Sequence, residues 1–283
     1  IFSYRYFQTK GIDAKNNYEA FYPNSTWTGD DGFNVSNASV KEYGIIANNG
    51  YIHAVDRVVE PLETIYTELK NKEKYSTFLD LYDSFGVYVA DDELSKSYAK
   101  AYGVDTLYQY QHGGLPNIAC EWPTSSYLNF TALTALSYSI FAPSNTAINS
   151  FFDSFWKIGG YSSMQEVDAL ALNYFLYQFI YGGSMLFPEE LGDDELKNLA
   201  GSSLNINPAA LNEKTMCVNG ALYGMDEIKE PSTFASVIGP LFQYKSARSF
   251  LYALLGSSLF SSYVSDLSKY IVLVPTAEQF EAS

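Results

Sequence analysis

The sequence predicts an α+β fold, with helical stretches and short strands following one another along the chain. Short apolar runs stand next to proline or Asn-Gly, as in Tyr138–Pro143 and in residues 215–218 before Asn219-Gly220; such runs are typical of strands and hairpins. Apolar residues recur at helical spacing directly after residue 61 and again from residue 250. The two kinds of pattern in one chain give the mixed class.

Taken in chain order, the predicted elements alternate between the two types. Helices are expected within residues 62–85, in the stretches that follow the strand at 138–143, and over 250–255. Strands are expected at 50–61, 138–143, 204–207, 215–218, 232–241 and 270–275. The stretch 86–137 lies between the first helices and the strand at 138, is rich in tyrosine, and is interpreted as an insertion.

Composition excludes several classes of protein. The chain has 283 residues, 47% of them hydrophobic and 17% charged, enough to bury a core and too apolar for a disordered protein. Its formal net charge of −15 argues against binding to nucleic acid or to an anionic membrane, since both attract positive charge. The aromatic content is 17%, so rings are available for a core and for a contact surface.

Membrane and redox signals are weak. The most apolar stretch, residues 169–181, has 13 residues, whereas a spanning helix needs about 20. Cys120 and Cys217 lack the spacing of a metal site, and whether they form a disulfide is left open. No metal or cofactor is expected, and any leader or anchor would lie outside this sequence.

Internal similarity divides the chain. Residues 138–148 and 270–280 share the order apolar strand, proline, hydroxyl residue, helix start. Residues 50–61 are compared with 232–241 as closing strands, and residues 2–5 with 172–175. We therefore expect the back part of one unit (1–61), a complete unit (62–242) and the front part of a third (243–283). We also expect the two terminal parts to dock on each other, or on a neighbouring molecule, as a permuted second domain, because neither could bury its apolar face alone.

With these repeated segments, the sequence resembles the fasciclin domain family. The strand-turn around Pro143 and Asn145, and less closely the one at Pro275, are similar to the first signature of the family. The second signature is matched by residues 49–58, which include Asn49, Gly50, His53 and Asp56. The Tyr-His pair of the family appears as Tyr4-Arg5 and Tyr174-Phe175, without the histidine.

The resemblance implies a compact wedge of strands and helices, used in tandem for extracellular adhesion and binding, without catalysis. With its tyrosine-rich insertion and many Ser and Asn residues, the chain also resembles the fasciclin-bearing surface lipoproteins of Bacteroidetes, some of which accompany outer-membrane nutrient transporters.

Candidate binding residues come from the aromatic stretches. In the insertion they are Tyr102, Tyr108, Tyr110 and Trp122, which could stack on sugars, bind a protein, or form a small core of the insertion. His112, beside Gly113-Gly114, is expected to be exposed. Trp27, in a polar loop, is a further candidate for an exposed contact.

Other polar residues have structural interpretations. His53 is expected to be a packed strand residue with hydrogen-bonded ring nitrogens. The Asp-Asp-Glu-Leu runs at 91–94 and 193–196 are expected to cap helices rather than to bind calcium.

These observations predict a non-enzymatic cell-surface binding or adhesion protein whose partner is a surface protein or a glycan. The alternative is an accessory structural subunit of an outer-membrane uptake complex, and a carbohydrate-active enzyme comes third. The expected location is extracellular, with anchoring to an outer membrane through a segment outside this chain.

Overall fold

The computed structural model describes residues 2–119, 137–193, 195–204, 206–257, 259–264 and 269–282. Its helices are α1 Tyr4–Lys10, α2 Ala14–Phe21, α3 Ile65–Lys70, α4 Ser76–Asp83, α5 Asp92–Tyr102, α6 Asn145–Ser154, α7 Ala169–Tyr177, α8 Ser232–Ala235, α9 Gly239–Gln243, α10 Arg248–Leu255, α11 Phe260–Val264 and α12 Ala277–Glu281. The strands are β1 Asn34–Val35, β2 Ala38–Ala47, β3 Gly50–Val55, β4 Gly86–Ala90, β5 Tyr108–His112, β6 Tyr138–Pro143, β7 Ile180–Gly182, β8 Leu211–Cys217 and β9 Gly220–Met225. The α+β class is confirmed.

The central sheet has the strand order β7-β6-β9-β8 and forms the middle of the molecule. β6 runs parallel to β9 and antiparallel to β7, while β8 and β9 form an antiparallel hairpin. β9 is buried along its whole length and β6 along nearly all of it, which agrees with their apolar sequences. Phe141 and Tyr223 stack between these two strands with ring centroids 5.1 Å apart.

Helices pack on this sheet, and the core between them is rich in aromatic side chains. Trp156 is fully buried, its indole nitrogen donates to the carbonyl oxygen of Phe242 at 3.1 Å, and its ring lies edge-on against Phe175. Burial of one such side chain contributes about 3 kcal/mol. The aromatic content of the sequence therefore goes largely into this core.

Two further sheets are smaller. β1, β2 and β3 form one antiparallel sheet in that order, and β4 pairs with β5 in a two-stranded ribbon. The ribbon begins at Gly86, where the insertion was expected to start.

Several local predictions are confirmed. β6 ends at Pro143, and the Ser144 hydroxyl then accepts from the amide of Ala147 to begin α6. Thr276 does the same for Gln279 at the start of α12. The turn at Asn219-Gly220 joins β8 to β9, and α10 covers the helical pattern predicted for 250–255, with Leu251 and Leu254 buried.

Three predicted strands are wrong. Residues 232–241 form the short helices α8 and α9 instead, because Pro231 and Pro240 occupy helix starts, where a missing amide proton has no effect. Described residues of 204–207 contribute no strand. Residues 270–275 are in no sheet and lie next to α12 without a strand partner in the described part of the chain.

The comparison of 50–61 with 232–241 is wrong for the same reason. β3 has its structural counterpart in β9: each strand follows an Asn-Gly turn, and an aspartate, Asp56 or Asp226, follows each strand. Residues 2–5 and 172–175, also compared above, both lie at or in helices.

The terminal parts pack on the central part. At the amino-terminal side, the Glu189 carboxylate accepts from the amide of Asp13 at 2.6 Å and from the side chain of Asn17 at 3.0 Å. At the carboxyl-terminal side, Tyr252 donates to the Asp168 carboxylate at 2.8 Å. Each terminal part is thus attached to the central part by polar contacts.

Candidate functional site

The ribbon and helix α5 together carry four exposed tyrosine side chains, those of Tyr88, Tyr98, Tyr102 and Tyr108. Helix α5 connects the two strands. It is capped at its start by Asp91, whose carboxylate accepts from the amide of Leu94 at 2.9 Å, and at its end by Gly103, whose φ of 68° is left-handed. This is the helix cap predicted for residues 91–94. In the second run, Asp193 accepts from the amide of Glu195, and no helix follows in the described residues, so the second cap prediction is wrong.

Hydrogen bonds hold the helix against the ribbon. The amide of Leu107 donates to the Ser95 hydroxyl at 2.8 Å, and the amide of Asp91 donates to the carbonyl oxygen of Leu107 at 2.9 Å. These bonds join the residues before β5 to both ends of the first turn of α5. The outer part of the ribbon is therefore supported by backbone contacts and not by side-chain packing alone.

The inner end of the ribbon rests on one carboxylate, that of Asp83 at the end of α4. Tyr66 and Tyr110 each donate a phenolic proton to it at 3.0 Å, and the Nε2 atom of His112 lies 2.9 Å from it. Burial, followed by the hydrogen bond to Asp83, raises the pKa of Tyr110 to about 12. The Asp83 carboxylate therefore joins three side chains, and this cluster anchors the ribbon to the core.

This anchoring corrects two sequence expectations. His112 is 3% exposed and packs edge-on against Tyr82, so its expected exposure is wrong. Its Nδ1 atom is buried and has no hydrogen-bond partner among the described residues. Tyr110 is half-buried, with its ring over Gly86, and belongs to the same anchor. Burial at the base follows from the pairing of Gly86 with His112, which places both beside the core.

The outer end of the ribbon carries a shallow groove. Tyr88, Tyr102 and Tyr108 are 75%, 73% and 60% exposed. The groove has a volume of about 510 Å³, and its walls are formed by residues of β4, the end of α5 and the start of β5: Tyr88, Tyr102, Val104, Thr106, Leu107 and Tyr108. All six are uncharged, so the groove presents rings, methyl groups and hydroxyl groups on a protein that is otherwise strongly acidic.

Strand alternation explains which tyrosines reach the groove. Tyr88 and Tyr108 lie on the same face of the ribbon as Tyr110 and His112, because Tyr88 is paired with Tyr110 and side chains alternate along a strand. The rings of Tyr88 and Tyr110 are 5.2 Å apart. One face therefore changes from buried anchor to exposed groove along its length.

Tyr88 was not among the residues singled out from sequence. The signal that could have found it is the alternation in residues 108–112, Tyr-Gln-Tyr-Gln-His, together with Val-Tyr-Val at 87–89. Both patterns have the period of a strand, and pairing them would have placed Tyr88 beside the other tyrosines.

The remaining candidate residues have other surroundings. Trp27 is half-buried, with its indole nitrogen donating to Asp30 at 3.1 Å and its ring 5.4 Å from that of Tyr18, so its expected exposure is wrong. Tyr174 packs on Phe242 in the core. Trp122 and Cys120 lie outside the described residues.

The residues of the two sequence signatures described above make hydrogen bonds that support the fold. Asn145 joins β6 to the start of α4, accepting from the amide of Thr77 at 2.9 Å and donating to the carbonyl oxygen of Glu73 at 2.8 Å. His53 Nδ1 accepts from the amide of Gly44, as expected, and the ring lies edge-on to Phe33 at 5.1 Å, but the residue is exposed rather than part of the core. Asp56 accepts from the amide of Ser39 at 2.8 Å, and this bond lowers the pKa of its carboxyl group.

A second, larger cleft of about 1500 Å³ lies between α7, the end of β9 and the loops around residues 200 and 230. Gln178 and Asn198 are buried there and are hydrogen-bonded to each other, and the buried Thr233 hydroxyl has no partner among the described residues. Sequence reasoning missed this cleft because its walls come from separate stretches of the chain that share no motif.

Two kinds of feature are absent from the described residues. No cluster of three or more His, Cys, Asp and Glu side chains that could hold a metal ion occurs among them. None of the helices described is both long and apolar enough to cross a membrane.

Models of known protein families and curated proteins were compared with the chain, and none matches it.

Proposed function

We propose that the chain is a non-enzymatic, fasciclin-like binding protein of a cell surface, and that the groove of the ribbon binds a neutral glycan. The observation that carries the proposal is the cluster of Tyr88, Tyr102 and Tyr108, all more than half exposed around one uncharged groove. Large exposed apolar patches on soluble proteins commonly mark binding sites. Sugar rings suit this surface, since they offer an apolar face to a ring and hydroxyl groups to its polar tip.

The acidic charge of the chain limits the classes of glycan that it can bind. With a formal net charge of −15, the protein repels acidic polysaccharides, whereas a neutral glycan has no charge to oppose. The groove also lacks the paired carboxylates that glycoside hydrolysis requires, because its six wall residues are uncharged. Binding without cleavage is the function that this combination favours.

The fasciclin-like part of the proposal has its own support. β6 ends in proline, is followed by a capping serine, and pairs with the strand that follows Asn219-Gly220. The same Asn-Gly arrangement occurs before β3. These features agree with the order of signatures that the resemblance implies, and the cell-surface location is proposed on that resemblance.

A protein partner, as in an accessory subunit of an uptake complex, is favoured by one observation. Val87 and Val89, on the opposite face of the ribbon from Tyr88, are also exposed. A glycan seated in the groove would leave these valines in water, whereas a protein clamped around the ribbon would cover both faces.

The experiment is a binding screen on an array of neutral and acidic glycans, with Tyr102→Ala and Tyr108→Ala as test variants and Tyr4→Ala as control. Tyr4 is exposed to the same degree and lies outside the groove. We expect neutral glycans to bind and each groove variant to weaken binding about tenfold, since one stacking contact contributes roughly 1–1.5 kcal/mol.

Unchanged binding in both groove variants, or no binding to any neutral glycan, would contradict the glycan proposal. Purification from native membranes followed by mass spectrometry tests the protein partner. A stoichiometric partner that is lost on Val87→Ser with Val89→Ser, and retained on Tyr102→Ala, would place the contact on the opposite face.

A further inference from the structure

The two Asn-Gly hairpins are built alike. In β2–β3, Ala47 pairs with Gly50 across the turn, and in β8–β9, Cys217 pairs with Gly220 across the turn. Each second strand is six residues long and leads directly to an aspartate, Asp56 or Asp226. β3 and β9 therefore occupy equivalent positions, and the surroundings of one can be used to examine the other.

Their surroundings differ on one side. β9 lies between β8 and β6, whereas β3 has β2 on one side and is the edge strand of its sheet as described. At Gly220, where φ is +141°, an added Cβ would overlap the carbonyl oxygen of Tyr138 at the start of β6. At Gly50 an added Cβ would meet nothing. The place that β6 fills beside β9 is open beside β3.

A segment with the properties of β6 is present elsewhere in the chain. Residues 270–275 read Tyr-Ile-Val-Leu-Val-Pro and precede the capping residue Thr276, as Tyr138–Pro143 precede Ser144. The segment is in no sheet; Ile271 is 91%, Leu273 84% and Val274 42% exposed, while Val272 packs on the core. An exposed apolar segment of this kind is suited to strand pairing.

The exposed side chains at the two places match in character. β3 and its partner strand present Ile46, Tyr51 and Ile52 to solvent. Together with Ile271 and Leu273, these side chains form an apolar surface that strand pairing would remove from water.

Within one molecule, residues 270–275 and the β2–β3 sheet are each held by contacts to other elements. Helix α12, which follows residues 270–275 directly, packs on α10 through the rings of Phe280 and Phe250, 5.8 Å apart, and Tyr270 lies against Tyr263. The β2–β3 sheet is joined to α2 by the bond between the Tyr18 hydroxyl and the carbonyl oxygen of Ser36. A second molecule can supply the segment without releasing either set of contacts.

We propose that residues 270–275 of one copy add to β3 of a second copy as a parallel strand. The register of β6 with β9, Tyr138 to Gly220 and Pro143 to Met225, gives Tyr270 opposite Gly50 and Pro275 opposite Val55. The contact joins two different surfaces, so it leads to open chains of molecules or to closed rings. This self-association is independent of the ligand of the ribbon.

The register predicts which amides carry the contact. The amides of Tyr138 in β6 and of Ser144 directly after it donate toward the β9 side. The amide of Phe141 donates toward the β7 side. By equivalence, the backbone amide of Val274 would donate to β3, and the backbone amide of Leu273 would point away from β3. Val274→Pro should therefore weaken association about tenfold, since it removes one hydrogen bond and adds a steric conflict at the pairing edge, whereas Leu273→Pro should have a smaller effect.

The test combines cross-linking with sedimentation of the full chain. A protein carrying His53→Cys is mixed with one carrying Leu273→Cys, and a short bis-maleimide is added; the control mixture replaces Leu273→Cys by Val274→Cys, whose side chain lies on the opposite face. The expected result is a heterodimer in the first mixture well above the control and above the parent protein, which reports the background of Cys120 and Cys217. In sedimentation, the mass of the parent protein should rise with concentration, and that of Val274→Pro should rise at concentrations about tenfold higher.

Equal cross-linking in test and control mixtures, or equal association of the parent and Val274→Pro, would overturn the proposal. A double variant, His53→Cys with Leu273→Cys, that closes within one molecule at high dilution would also overturn it, because the strand would then come from the same copy. Circular dichroism of each variant checks that the fold is intact.

Discussion

The β2–β3 and β8–β9 hairpins share a sequence pattern and differ in what surrounds them. In β8–β9 the turn residue Asn219 is buried, accepts from the amide of Ile65 at 2.9 Å and donates to the carbonyl oxygen of Ile118 at 2.8 Å. In β2–β3 the equivalent Asn49 is exposed. An Asn-Gly turn therefore determines a hairpin locally, while neighbouring strands and helices determine whether that hairpin belongs to a core.

The largest difference between the hairpins is expected for their glycines. Gly220→Ala places a methyl group against the Tyr138 carbonyl at a positive φ, and should destabilise the protein by about 3 kcal/mol. Gly50→Ala faces open space and should change the free energy of unfolding by less than about 0.5 kcal/mol. Urea unfolding of both variants measures these changes. Similar losses of unfolding free energy in the two variants would contradict the proposed difference between the hairpins.

The turn asparagines should differ by a smaller amount. Asn219→Ala leaves the amide of Ile65 and the carbonyl of Ile118 without this bridge, so we expect a loss of about 2 kcal/mol. For Asn49→Ala we expect less than about 0.5 kcal/mol, as for other exposed sites. Thermal unfolding at low protein concentration keeps any association at β3 out of the measurement; a larger effect at Asn49 than at Asn219 would contradict the assignment.

The aspartates that follow the two strands should show the smallest effect. Both carboxyl groups have a pKa below the ordinary value of 3.8, through the backbone amide of Ser39 for Asp56 and through the ion pair with Lys74 for Asp226. A lowered pKa in the folded state stabilises the fold above the ordinary value, and that stabilisation disappears as the pH falls through the folded value. The gap between parent and Asp→Asn variants should therefore close below pH 3.8.

Salt separates the two aspartates further. The ion pair of Asp226 with Lys74 is exposed to solvent and should weaken in high salt, whereas the leading partner of Asp56 is an uncharged amide. Unfolding curves at low and high sodium chloride check this. If Asp56→Asn proves the more salt-sensitive of the two, the assigned partners are wrong.

Local chemistry accounts for what the sequence could predict. The strand that ends at Pro143, the cap at Ser144, the turn at Asn219-Gly220 and the cap at Asp91 each depend on residues a few positions apart. Such patterns carry their own physical cause and can be interpreted without knowledge of the fold.

Longer-range pairing accounts for what could not be predicted. Residues 232–241 were expected to form a strand, but Pro231 and Pro240 stand at the starts of short helices, and Phe234 and Ile238 are buried there. Likewise, tyrosine content alone could not separate the anchoring Tyr110 from the exposed Tyr108, because the distinction depends on where Asp83 lies. The candidate groove lies in the stretch from which the sequence candidates were chosen, and its wall includes Tyr102 and Tyr108. Its role in binding stays a prediction.

The ends of the ribbon meet, and this has a consequence for how the molecule can diverge. Gly86 and His112 are direct partners across β4 and β5, so the chain leaves the core and returns to it at one point. Residues between them can be lengthened, shortened or exchanged while the geometry of α4 and the central sheet is kept. Related chains should therefore accumulate insertions and substitutions at the tip of the ribbon, and new specificities could be grafted there onto an unchanged scaffold.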